Sequence, residues 1–250
     1  MWIECFAQDE RVDGDDIDAL IDDMLRHVRS AHDVPYHDDE VRAWARNFAE
    51  ASRRQTGPTE RLDAIGPIEV HPVTPDRIDD WLQFFDHEAF ADNPDWASCY
   101  CLSPHTGEDA ERPWRDIRAD MIERLRAGAT LGYLAYVDGH VAGWVNASPR
   151  ATYRKYADVD PGGPDPARVA GVSCFVVAPP YRRHGVSSAL LDRVVADAAA
   201  RGLTHVEGYP VDAEGSSDAA QFRGPRGLFA ARDFRPVEEK ERYTVVRRDV

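Results

Sequence analysis

The sequence predicts an α/β (α+β) fold, with a small ββαα module ahead of a larger domain in which strands and helices interleave. Three observations carry that prediction. The first is Val172–Arg201, VSCFVVAPPYRRHGVSSALLDRVVADAAAR, where a β-branched and aromatic run stops at Pro179-Pro180 and apolar residues then recur at helical spacing. The second is the pair of apolar runs Leu131–Val137 and His140–Ala147 around Asp138-Gly139, a hairpin signal. The third is the stretch 53–67, where Arg53-Arg54-Gln55-Thr56-Gly57-Pro58-Thr59 loses periodicity and holds the turn dipeptide Gly57-Pro58. Residues 1–55 are therefore expected to form the N-terminal module, 56–67 a linker and 68–250 the main domain.

Taken in order, Met1–Phe6 alternates as a strand, Gln8–Val12 returns beside it, and Asp13-Gly14-Asp15-Asp16 supplies turn and N-cap chemistry. One helix then carries Ile17, Leu20, Ile21, Met24, Leu25 and Val28 on a single face. A second, from about His37-Asp38-Asp39, carries Val41, Trp44, Ala45 and Phe48. Beyond the linker, Ile68–Val73 is a strand and Asp76 caps a helix that turns Ile78, Trp81, Leu82, Phe85 and Ala89 inward. A helix around Arg112–Ala127 stripes Trp114, Ile117, Met121 and Leu125, with Pro113 in its first turn. The hairpin, the Val172 strand and its helix follow, then a strand over Thr204–Tyr209, a helix near Phe222–Ala231 and a strand around Arg242–Arg247. The order is β-α-α-β-β-β-α-β-α-β.

Composition limits the partners. The formal net charge is −15, the acids are mostly Asp, and Lys155 and Lys240 are the only lysines. Dense carboxylates with almost no lysine suit a protein kept soluble at high salt, so a halophilic, salt-rich cytoplasm is expected. Such a surface repels nucleic-acid phosphates. No apolar run is long enough to span a membrane, and Met1–Arg11 has neither a basic start nor an apolar core, so the expected location is cytoplasmic, with no membrane partner. Cys5, Cys99, Cys101 and Cys174 make no disulfide framework in a chain of this size, and reduced thiols are expected.

The turn between the Val172 strand and its helix carries the chemistry. Tyr181, Arg182, Arg183 and His184 lead to Gly185, and Val186, Ser187 and Ser188 open the helix. The unpaired N–H groups and positive end of a helix, flanked by two arginines, form an anion site suited to a diphosphate. This segment resembles the acetyl-CoA signature of the GNAT acetyltransferase superfamily, a Q/R-x-x-G-x-G/A turn after a strand ending V-x-P. Arg182, Gly185 and Ser187 fall on the three motif positions, and Val177-Ala178-Pro179 fits the strand end. Ser187 stands where the family usually has Gly or Ala. The chain-wide element order is also similar to the GNAT order.

The resemblance implies a mixed, mostly antiparallel central sheet flanked by helices, and direct acetyl transfer from acetyl-CoA to a primary amine in a ternary complex. It also implies oxyanion donors from the backbone of Phe175, Val176 and Val177. Glu207, on the neighbouring strand, is the candidate general base. Many family members place a tyrosine near the CoA sulfur in a pattern like L-Y-x-x-x-G-F; here the run is Leu228-Phe229-Ala230-Ala231-Arg232-Asp233-Phe234. Phe229 has no hydroxyl, so Tyr209 or water supplies the proton, or the thiolate leaves unaided. The acceptor, a small-molecule or peptide amine, is expected against Trp96, Cys99 and Cys101, and against Arg150 and Tyr153. The alternative is a CoA-binding regulatory protein that keeps this fold with little turnover. Exposed C-terminal strands allow a homodimer.

The N-terminal module resembles DUF1059-type small domains, which share an early Cys and a helix ending in His-x4-His, here Cys5, His27 and His32. No second cysteine lies near Cys5, so the set lacks a fourth zinc ligand and no metal is expected.

Overall fold

Alternation at the N-terminus pairs β1 (Trp2–Cys5) antiparallel with β2 (Glu10–Asp13). The computed structural model describes residues 2–5, 10–32, 37–107, 112–211 and 221–250. Asp16 caps α1 (Ile17–Ala31), its carboxylate accepting the Ala19 N–H at 2.9 Å. In α2 (Asp38–Ser52), Asp38, Asp39 and Glu40 occupy the first turn, where negative charge complements the helix dipole. Leu20, Ile21, Met24 and Leu25 from α1 meet Val41, Ala45 and Phe48 from α2 in a core of their own.

The main domain is a seven-stranded sheet. Its strands are β3 (Ile68–Pro72), β4 (Gly132–Val137), β5 (His140–Pro149), β6 (Val169–Val177), β7 (His205–Gly208), β8 (Arg235–Glu239) and β9 (Thr244–Asp249). They lie in the order β3-β4-β5-β6-β7-β9-β8. Every neighbouring pair is antiparallel except β6 and β7, which are parallel. Asp138 and Gly139, at φ 50° and 81°, make the two-residue turn between β4 and β5 that positive φ at both positions requires. On one face, α3 (Ile78–His87) and α5 (Trp114–Arg126) bury Trp81, Phe84, Phe85 and Met121 against Leu134, Trp144 and Cys174. On the other, α6 (Val186–Ala198) and α7 (Arg226–Ala230) bury Leu190, Val194 and Phe229 against Val145, Val172 and Val206.

Three local expectations are corrected. Asp76 does not cap α3; that helix is entered through a 3-10 turn over Pro75–Arg77, and the Asp76 carboxylate pairs with Arg77. Pro113 is the residue before α5 rather than in its first turn. Strand β8 and the one-turn α4 (Ser103–Thr106) are absent from the sequence reading. The β8 sequence, RPVEE, is largely charged and contains a proline, because it is a sheet edge and those features blunt edges.

The N-terminal module is fastened to the main domain through α2. Ser52 Oγ donates to the Pro94 carbonyl at 2.8 Å, Asn47 Oδ1 accepts the first N–H of α5 at 2.7 Å, and Glu50 pairs with Arg115. Just past α2, Arg54 pairs with the buried Asp86 and lies over the Trp114 ring. Among the described residues, no helix is long and apolar enough to cross a membrane.

Candidate active site

A bulge opens the sheet. Asn146 opposes Cys174 while Ala147 opposes Val172, so Ser173 is an extra residue on β6. Pairing between β6 and β7 ends at Val172 and Gly208. An extra residue bends its strand and increases local twist, so from Ser173 to Val177 the outer edge of β6 faces a gap. The turn at residues 221–223 partly fills it: the Phe175 N–H donates to the Phe222 carbonyl at 2.6 Å. Backbone groups alternate along a strand, so Val176 faces β5 and the Val177 N–H faces the gap. Of the three expected donors, Val177 is the one left aimed into it.

At the end of β6 the chain turns through Arg183 (φ 65°) and Gly185 (φ 85°) into α6. Gly185 is required by that dihedral rather than by crowding, since a Cβ there would meet nothing within 4 Å. The Ala189 N–H is the first to find a carbonyl within the helix, that of Gly185. The N–H groups of Val186, Ser187 and Ser188 therefore carry the helix's positive end.

These elements border a cavity of about 860 Å³. It is lined by Phe175, Val176, Val177, Arg182, Arg183, Gly185, Val186, Ser187 and Ser188, and by Trp96, Cys99 and Cys101. His184 is not a lining residue. Its ring Nε2 donates to the Leu62 carbonyl at 2.8 Å and so ties the linker to the turn. Arg182 lines the cavity, but its guanidinium is engaged elsewhere: Nε donates to the Val177 carbonyl at 3.0 Å, and the two Nη groups grip Asp92 at 2.5 and 2.9 Å. Its role is to latch the segment after α3 to the end of β6.

Four expected catalytic or acceptor residues lie outside the cavity lining. Glu207 is fully buried and accepts hydrogen bonds from Arg150 Nη1 at 3.1 and 3.2 Å and from Arg247 Nε at 2.6 Å. Arg150 also donates to the Pro164 carbonyl, so both members of that pair are consumed by structure. The Tyr209 ring stacks on Tyr156 at 3.7 Å and its hydroxyl donates to Glu207 at 3.3 Å. Burial, then the Glu207 charge, holds that phenol well above its ordinary pKa. The Tyr153 hydroxyl has Asn146 Oδ1 and the Gly171 carbonyl both at 2.8 Å to share its one proton, and it accepts the Ser148 N–H. Phe229, at the family's usual tyrosine position, is fully buried against Gly208 and Phe234.

Other lining residues were not marked as site residues by the sequence. Trp44 and Phe48 come from α2 of the N-terminal module, Asp95 from the 3-10 turn that holds Trp96, Lys155 and Tyr156 from the segment after β5, and Phe222, Arg223 and Leu228 from the turn before α7 and from α7 itself. Among the described lining residues, Asp95 is the sole carboxylate. Trp96 meets the Phe222 ring edge to face at 5.5 Å. On the floor, Cys101 Sγ lies 3.2 Å from Cys174 Sγ. The hydrogen bond to Cys174, with burial, raises the Cys101 pKa, and the contact with Cys101, with burial, raises that of Cys99. The Cys99 and Cys101 thiols are thus protonated at neutral pH and act as packing. In the N-terminal module, the His27 and His32 rings lie edge to face at 5.3 Å, while the Cys5 side chain is outside the described residues.

The sequence profile of the acetyltransferase (GNAT) family matches residues 79–216. The GNAT domain of S. lividans PAT is similar in fold, with 19% identity and a TM-score of 0.50, over 74% of this chain and 92% of that one. The PaiA N-acetyltransferase of Thermoplasma acidophilum, solved with coenzyme A, shares 9% identity at a TM-score of 0.44, over 74% of this chain and 99% of its own. An acetyltransferase from Thermus thermophilus shares 15% at 0.45, over 74% and 99%. No curated protein matches the sequence. The family profile spans more than half of the chain, and, in accord with the splayed β6–β7 pair and the glycine turn into α6, it shows that this protein belongs to the GNAT acetyltransferase family.

Proposed function

We propose that the protein moves an acetyl group from acetyl-CoA, the family's acyl donor, to a small primary amine by direct attack within a ternary complex. The observation that carries this reading is the cavity itself, which joins an anion-binding helix start to the open edge of β6. The N–H groups of Val186, Ser187 and Ser188, with Arg183, suit the donor's diphosphate. The gap beside Ser173–Val177 suits its extended arm, and the Val177 N–H is aimed where a thioester oxygen gains charge. The amine lone pair attacks the thioester carbon, the C–S bond breaks, and the thiolate leaves.

Asp95 is the lining carboxylate placed to take the ammonium proton, directly or through water. With the Tyr209 hydroxyl committed to Glu207, the departing thiolate is protonated by water or leaves unaided. Positioning and preorganised dipoles then supply most of the rate. The acidic, lysine-poor composition supports work in a salt-rich cytoplasm.

A second reading, a CoA-binding regulatory protein, is favoured by one observation: the family's usual tyrosine is a buried phenylalanine, Phe229. Calorimetry with acetyl-CoA and CoA in molar KCl, with thiol release followed on the same sample, separates the two. Binding with thiol release upon amine addition supports the enzyme, binding without release supports the regulator, and absence of binding overturns both.

A further inference from the structure

We infer that the acceptor is a small amine that also carries a carboxylate, and that Arg223 binds that carboxylate; this rests on the acetyl-transfer reading above. Arg223 lines the cavity, and its Nε and Nη1 are buried without a hydrogen-bond partner among the described residues. Its guanidinium carbon lies 5.5 Å from the Phe222 ring centroid and 5.4 Å from that of Tyr243, so two aromatic faces hold it. The other arginines of this region are satisfied: Arg150 and Arg247 by Glu207, and Arg182 by Asp92. Arg223 is half-buried, and guanidinium nitrogens buried without an acceptor are costly, while a guanidinium fork matches a carboxylate in shape and charge.

Arg223 is also away from the diphosphate end. The Phe222 carbonyl meets β6 at Phe175, and Arg223 turns from there toward Tyr243, just before β9, whereas the Gly185 turn leaves from Val177. Lys155, one of only two lysines in the chain, lines the same cavity. Asp95 supplies the opposite charge; it precedes Trp96, whose ring touches Phe222, the residue before Arg223. A carboxylate and a guanidinium linked through two facing aromatic rings complement a zwitterion with an apolar frame, the chemistry of an aromatic or aliphatic amino acid. Polyamines, with cations alone, would face Arg223 and Lys155 unfavourably.

The test uses the full chain with saturating acetyl-CoA and a panel of apolar amino acids, each beside its amide and its decarboxylated amine, with thiol release as the readout. The expected result is a kcat/KM at least about tenfold higher for the acids. Arg223→Gln should raise their KM by about 10- to 100-fold, leave the KM for acetyl-CoA unchanged, and be partly rescued in Arg223→Lys. Amides or amines used as well as the acids would overturn the inference, as would turnover of none of the acids by protein that binds acetyl-CoA. A raised KM for acetyl-CoA in Arg223→Gln would also overturn it, by assigning the guanidinium to the donor. Loss of acetyl-CoA binding by the unaltered protein is the distinct result that removes the transfer reading itself.

Discussion

Replacing Glu207 with Gln separates a structural carboxylate from a catalytic one. The side chain is fully buried and accepts hydrogen bonds from Arg150, Arg247 and Tyr209. Gln keeps the shape and one acceptor oxygen, but removes the charge facing two guanidinium groups and sets an NH2 against their donors. Breaking a buried ion pair on one side costs about 3–5 kcal/mol, because the partner charge stays behind. With a urea dependence of about 2–3 kcal/mol/M, the midpoint should fall by about 1–2.5 M. Tryptophan fluorescence in urea measures that shift, and the pH dependence of kcat/KM on the folded variant measures any role in proton transfer. We expect a large loss of stability and a pH profile of unchanged shape. An unchanged midpoint, together with a hundredfold fall in kcat and loss of the acidic limb of the profile, would refute the structural assignment and restore Glu207 as the base.

Two further predictions concern the latch and the buried histidine. Arg182→Ala and Asp92→Asn should each weaken acetyl-CoA binding severalfold, with the double variant no weaker than the worse single; additive losses in the cycle would instead show Arg182 contacting the donor independently. His105 is buried beside Arg124 and Thr130, and burial followed by the Arg124 charge lowers its pKa to about 4. An unfolded histidine takes its proton near pH 6.5, so below that the unfolded chain binds more protons and stability should fall by about 3 kcal/mol as the pH drops from 6.5 to 4. In urea titrations across that range, His105→Gln should remove this part of the slope; an equal slope in the variant would refute it.

The frame of this fold is legible because its signals are local. Asp138-Gly139 defines its hairpin, Asp16 caps α1, and the Val172–Arg201 run forms its strand, turn and helix. The order of elements along the chain also implies the GNAT sheet. Strand β8 escaped because a charged, proline-bearing edge has little alternation to read. The site was half legible for a related reason. A turn that binds phosphate through its backbone has a sequence signature, whereas the direction of a side chain on a splayed strand depends on a bulge at Ser173 that nothing local announces. Glu207 and Tyr209 lie on or next to the expected strand, yet their polar atoms meet Arg150 and Arg247 rather than the cavity. Arg223 had no motif to mark it; its signal is tertiary, a cation with aromatic neighbours and two buried nitrogens that meet no acceptor among the described residues.

The origin of the cavity walls limits what relatives can say about the acceptor. The phosphate turn and the open edge of β6 fall inside the span matched by the family profile. Trp44 and Phe48 precede that span, and Phe222, Arg223 and Leu228 follow it. Phe48 serves two cores at once, packing with Leu20 and Met24 in the N-terminal module while bordering the cavity. The helical stripe read from the sequence assigned it to the first task alone, since periodicity identifies a buried face without saying how far that face extends. Ser52, Asn47 and Glu50 then hold α2 in place on the main domain. Use of acetyl-CoA is thus a property this chain shares with its family, while part of the cavity wall is built from segments outside the span matched by the family profile. If the proposed transfer reading holds, acceptor choice is to be argued from the cavity residues of this chain, Trp44, Phe48, Asp95 and Arg223, rather than from a relative's substrate.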